Sequence, residues 1–256
     1  MLSFDGLAQD MSRRTRTFDL LASLIPRILA RPRILLETNS VFSSETIGYL
    51  SDSVQCIVQM GIRRLEVNFA HVPAWTSSSL NRLKEEISRV GTFFESRYEH
   101  WQDVPWVGFY EEPERAVSSC TAGINQIALS AQGTLWGCAL FPHYFMNKGG
   151  TKEYNKYCFG DVDSFVTNAH DIYARKMTNY SDLRMDCYST PDGSCLICRE
   201  IEYCRLCPVA AALSTGEIGR IPGWSCQMGK TIRKEKRLLL NRFKKKNQRV
   251  RKTSPH

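Results

Sequence analysis

Four cysteines, Cys195, Cys198, Cys204 and Cys207, read CxxCxxxxxCxxC, and a fifth, Cys226, closes the run GWSC 19 residues further on. The two-residue gap of a CxxC lets one tight turn aim both thiols at a point the size of a metal coordination sphere. Two such pairs can complete a four-thiolate shell. Spacing alone leaves zinc and an iron–sulfur cluster both open. Upstream, Cys120 is separated by twelve residues from Gly133, and four more residues lead to Cys138. A hairpin turning at Gly133 would bring these two thiols together at the open ends of adjacent strands. Cys56 lies on the apolar face of a predicted helix and reads as a small buried hydrophobe. The histidines offer no rival centre, because His71, His100, His143 and His170 are scattered, and the sequence contains no HExxH, GxSxG or P-loop.

The ten cysteines sit in a chain of 256 residues, 43% hydrophobic and 23% charged, which excludes a disordered or fibrous protein. The N-terminal MLSFDGLAQD lacks the basic and apolar regions of a secretory signal, so the chain is expected in the cytoplasm. Disulfides are disfavoured there, which makes metal ligation the leading reading of the thiols. The apolar run from Leu20 to Leu36 is broken by Ser23, Pro26, Arg27, Arg31 and Arg33, so no membrane span is expected.

Hydrophobic periodicity supplies the elements that would carry these residues. Thr17 to Leu29, Ser43 to Met60 and Asn81 to Phe94 have helical spacing, while Leu2 to Phe4, Ile34 to Leu36, Leu65 to Phe69 and Trp106 to Tyr110 read as strands. Alternation of this kind predicts parallel strands with helical crossovers, in too few units to close an eight-stranded barrel. Past Pro113 the composition turns to Gly, Cys and aromatics. A hairpin is expected from Ile124–Leu129 and Thr134–Cys138, and a helix over 164–177. Residues 229 to 256 hold 12 Lys and Arg against Glu235 alone, while residues 1 to 228 hold 22 basic and 25 acidic groups. This basic tail reads first as a solvated helix and second as a contact for an acidic partner or nucleic acid.

The full set, CxnGxxxxC followed by CxxCxxxxxCxxC and a last Cys, resembles the SPASM domain of radical SAM peptide-modifying enzymes. That family has three residues in the final gap, where this chain has Arg205 and Leu206. The segment YCFGDVDSFVTNAHDIY at 157–173 is similar to the family's stretch between its cysteine groups, and SFDG at Ser3–Gly6 with the following TFDLLASLI is similar to a mid-barrel strand and helix. The resemblance implies an α/β fold: a partial radical SAM β/α barrel over 1–113, a small cysteine-rich α+β SPASM-like domain over 114–228, and a basic helical tail over 229–256. It implies one or two auxiliary 4Fe-4S clusters, with Cys195, Cys198, Cys204 and Cys226 on one and Cys120, Cys138 and Cys207 on the other. The second set is one thiolate short. It would be completed by Cys158 or Cys187, or leave an iron open for substrate. Ser3 would face S-adenosylmethionine on the cofactor side of the barrel.

The CxxxCxxC motif that binds the catalytic cluster of that family is absent from these 256 residues. The resemblance therefore implies an electron-transferring and substrate-positioning portion acting on a peptide or protein. It would not be competent by itself for S-adenosylmethionine cleavage, and a further chain carrying the missing barrel half would complete it. Two other readings remain: a zinc-ribbon module whose tail touches nucleic acid, and an inactive truncated gene product.

Overall fold

The computed structural model describes all residues except 14, 73, 109–121, 125, 182, 184–187, 191, 192, 194, 196, 205 and 254–256, and the side chains of 202 and 247–253. The chain forms two compact units, one made of residues 1–112 and 227–256, the other of 113–226.

In the first unit, β1 (Leu2–Ser3), β2 (Glu37–Phe42) and β3 (Arg64–Phe69) make a parallel sheet in that order. Trp106 continues it as a single parallel bridge to Leu65; of the rest of the predicted strand, Val107 and Gly108 form a turn instead, Gly108 having φ +67°, and residues 109 and 110 lie outside the described residues. The expected strand at Ile34–Leu36 is displaced toward the C-terminus: Ile34 and Leu35 are exposed, and β2 buries Thr38, Ser40 and Phe42 instead. The inward hydroxyl of Ser40 is tolerated because it donates to the Phe4 carbonyl oxygen at 2.6 Å.

The short α1 (Gln9–Ser12) and α2 (Thr17–Leu29) follow β1. The predicted helix from Ser43 is shorter than expected: turns and a 3-10 segment lead into α3, Leu50–Gln59. After β3, α4 (Ser77–Arg97) opens with a capping box in which the Thr76 side chain accepts from Ser79 N–H and the Ser79 hydroxyl accepts from Thr76 N–H. The fully buried Glu86 of α4 accepts from Ser51 N–H at 2.9 Å and pairs with Arg82 and Arg89, locking α3 to α4.

Asp5 and Gly6 have structural roles of their own. The buried Asp5 carboxylate accepts from Arg13, from the Ser12 hydroxyl and from Val41 N–H, tying β1 to α1 and β2. Gly6 has φ +59°, and a Cβ there would sit 2.7 Å from Ser53 Cβ in α3.

The second unit holds β4 (Ala128–Leu129), β5 (Thr134–Trp136) and β6 (Gly160–Asp161) in an antiparallel sheet, with α5 (Leu140–Tyr144), α6 (Lys152–Tyr157), α7 (Val162–Ser181) and α8 (Pro208–Thr215) around it. The predicted hairpin is β4–β5, turning at Gly133 with φ +79°. Its core is a set of aromatic rings: Trp136 stacks on Phe145 at 5.3 Å, and Phe141, Tyr157 and Phe159 each lie within 5.0–5.5 Å of Tyr180.

The basic tail, expected as a solvated helix, is solvated along one face and packed along the other. It belongs to α9 (Gly223–Thr253), whose Leu239, Leu240 and Phe243 are buried. Arg242 pairs with Glu95 at 2.7 Å and Lys246 donates to the carbonyls of Glu95 and Tyr98, so α9 lies along α4. Leu239 reaches Gly91, which has no side chain to keep it out. Among the described residues, no helix is long and apolar enough to cross a membrane.

Candidate metal centre

The first cysteine group is assembled by local turns and one long-range bridge. Cys198 N–H donates to the Cys195 carbonyl at 3.1 Å, and Ile201 N–H to that of Cys198 at 3.1 Å, so the chain coils back on itself through the first CxxC. Cys204 ends the short 3-10 turn Ile201–Tyr203. Cys226 arrives from elsewhere, in the first turn of α9. It is brought over by a parallel bridge between Ser189 and Arg220, in which Ser189 N–H donates to Gly219 and Ile221 N–H to Ser189. Cys195, Cys204 and Cys226, with Leu206, pack against the buried Tyr188, Ala211 and Ile221.

The Cys195 thiol lies within electrostatic reach of the other three. Burial pushes the Cys195 thiol up, a hydrogen bond with Thr190 pulls it down, and the charges of Cys226, Cys204 and Cys198 push it up again. A thiol so disposed stays protonated until a cation arrives to hold the thiolates, which is how a cluster or zinc ion binds. Among the described residues, no three His, Cys, Asp or Glu side chains are arranged to hold a single metal ion. Cys195, Cys204 and Cys226 lie half-buried on an apolar bed with Cys198 half-buried nearby, and thiol donors of this kind suit either zinc or an iron–sulfur cluster.

For the second group, Cys138 follows β5, and both Cys138 and Cys207 pack against the aromatic core. Cys207 caps α8, its sulfur accepting from Ala210 N–H at 3.4 Å. Cys120 lies outside the described residues, as does Cys187. Cys158 is buried in the same aromatic core, and its sulfur accepts from Gly160 N–H at 3.4 Å. Sequence reading missed what sits between them: the Tyr180 hydroxyl accepts from Gly137 N–H at 2.7 Å and donates to the Tyr157 carbonyl at 2.5 Å. Burial drives the Tyr180 phenol strongly upward, and Cys138 and Cys158 add to the shift, so both thiols share its surroundings. The glycine pair Gly123 and Gly137 was the available signal. A Cβ at either would strike the Tyr180 ring, at 2.4 and 2.3 Å. Cys56 is half-buried in α3, its thiol pushed up by burial alone.

Ser3 is exposed on the sheet face opposite Thr38 and Ser40, aligned in register with Asn39 and Glu66. Asn68 on the same face donates to Asn39 at 3.0 Å, and Arg64 pairs with Glu37. Ser3 is named from the sequence, but Asn39, Glu66 and Asn68 beside it are not, because alternation marks which residues share a face, not which face is covered.

No family model matches the chain, and no curated protein does. Among solved structures, it is similar to a radical SAM enzyme, a hexahistidine-tagged anSMEcpe with bound AdoMet. The TM-score is 0.60 at 11% identity, and the match covers 95% of this chain and 65% of that one. The likeness is one of fold, and this chain spans under two-thirds of the other's length.

Proposed function

We propose that this chain is the iron–sulfur-binding portion of a radical SAM-type system that modifies a peptide or protein. Cys195, Cys198, Cys204 and Cys226 hold one auxiliary 4Fe-4S cluster; Cys138, Cys207 and Cys120 contribute to a second. What supports this reading is that Cys195, Cys204 and Cys226, from two separate stretches of chain, pack against one apolar cluster, with Cys198 one turn away from Cys195. Its radical SAM-like fold supports the same class. When bound, such clusters supply one-electron transfer and a fixed charge beside the substrate.

The protein's own part is to present thiols, exclude water with Tyr188 and Ile221, and fix the loop through the Ser189–Arg220 bridge. The polar row of Ser3, Asn39, Glu66 and Asn68 would face S-adenosylmethionine. A chain bearing the CxxxCxxC motif, absent here, would pair along β1, the edge of the described sheet.

Anaerobic reconstitution followed by iron, sulfide and zinc analysis tests the reading. We expect a brown protein, with Cys226→Ala losing one cluster's iron and Cys56→Ala none. A colourless, zinc-loaded protein, or equal iron in Cys226→Ala and wild type, would overturn it. The reconstituted chain alone is expected to produce no 5′-deoxyadenosine from S-adenosylmethionine.

A further inference from the structure

The docked α9 divides its cations between two jobs. Lys236, Arg242 and Lys246 face the rest of the first unit: Lys236 donates to the Gly108 carbonyl at 3.1 Å and lies 5.6 Å over the Trp106 ring, while Arg242 and Lys246 engage Glu95 and Tyr98. The helix's only acidic side chain, Glu235, is buried. On the outward side, Lys230, Lys234, Arg237, Lys244 and Lys245 are all exposed and recur at helical spacing. None of the five has an ion-pair partner among the described residues. They form a stripe about 22 Å long at 1.5 Å per residue.

In the middle of that stripe stands Leu238, 48% exposed. The helix has other positions on which to bury a leucine, and this one points away from the docked face that holds Leu239 and Phe243.

We propose that this stripe docks an acidic, amphipathic helical segment of a protein partner. Its carboxylates would pair with the five cations, and its apolar anchor would cover Leu238. Charge complementarity alone would admit any polyanion. Two features favour a peptide over nucleic acid. A phosphate backbone leaves Leu238 without an apolar counterpart, whereas a helix carrying Glu or Asp around one apolar residue matches both parts of the stripe. The stripe also offers no aromatic ring on which an unpaired base could stack. The inference goes beyond the cluster assignment and holds whether or not the thiols bind iron.

The test uses the full chain as purified, without reconstitution, and fluorescence anisotropy. The probe is a labelled 16-residue helical peptide with Glu at i, i+4 spacing around a central Leu. Its comparators are the same peptide with that Leu replaced by Gln, and a DNA duplex of equal charge. Binding should favour the Leu peptide and weaken with added salt. Replacing Lys234, Arg237 and Lys244 together by Glu should weaken it at least about tenfold. Leu238→Ala should weaken the Leu peptide roughly three- to tenfold and leave the Gln peptide unchanged. Because every substituted side chain is exposed, unchanged far-UV circular dichroism is expected and checks folding. Tighter binding of the duplex than of the peptide, no peptide binding, or insensitivity to both variants would overturn the proposal.

Discussion

Replacing Gly91 by Ala puts a methyl group where Leu239 already sits. The added carbon would lie 2.0 Å from one Leu239 methyl, 2.5 Å from the other and 2.8 Å from its Cγ. All three atoms belong to one flexible side chain, so Leu239 must leave its rotamer or α9 must move off α4. Overpacking of this kind costs about 1–3 kcal/mol. Ala recovers about 1 kcal/mol over Gly in helix propensity, leaving a net loss of roughly 0–2 kcal/mol. Leu239, 1% exposed, should cost about 2–5 kcal/mol when cut to Ala, through lost burial and the cavity left behind. Combined, the two changes compensate, because the Gly91→Ala methyl enters the space that Leu239→Ala vacates. The double variant should be more stable than the sum of the singles by about 1–3 kcal/mol. Urea unfolding, with hydrogen exchange on α4 and α9, measures the cycle. Additivity within about 0.5 kcal/mol, together with a Leu239→Ala loss no larger than that of a surface change, would refute the docking of α9.

Gly6→Ala should destabilise the first unit by about 2–4 kcal/mol, since the site combines φ +59° with contacts of 2.7 and 2.8 Å to Ser53 Cβ and Cα; urea midpoints check it. Tyr180→Phe should cost about 2–4 kcal/mol in the second unit, because it orphans the buried Gly137 N–H and Tyr157 carbonyl; near-ultraviolet circular dichroism of the aromatic core reads the loss. Asp10 is held below its usual carboxylate range, chiefly by the Phe18 N–H, which outweighs the opposing effect of desolvation, and further by the Thr17 and Arg16 N–H groups and the Thr17 hydroxyl. Its folded value lies below the unfolded one, so its contribution to α2 is complete above the unfolded value and is lost as pH falls through the folded one. Asp10→Asn should flatten that acid limb, as judged by the helical signal of the two proteins between about pH 5 and 2.

Local physics made much of this protein legible from its residues. The apolar period of 17–29 marks α2 to its ends, and Gly133 marks the hairpin, because both signals lie within one element. The first CxxC is equally local, and its turn forms as the spacing suggests, with Cys198 N–H donating to the Cys195 carbonyl. What joins Cys226 to it is the Ser189–Arg220 bridge, which no spacing encodes. The strand at 37–42 was hidden for a related reason. Its inward Ser40 looks like a surface residue until the Phe4 carbonyl supplies a partner for its buried hydroxyl, while the apolar Ile34 and Leu35 stay exposed. The tail reverses the same lesson. Its charge run suggested solvent, yet three apolar residues and a side-chain-free position on α4 decide that it packs. Sequence determines which residues an element can offer to a neighbour. Whether a polar group or a glycine meets its counterpart depends on segments distant in the chain, as Ser40 is from Phe4 and Gly91 from Leu239, and only the tertiary structure brings those together.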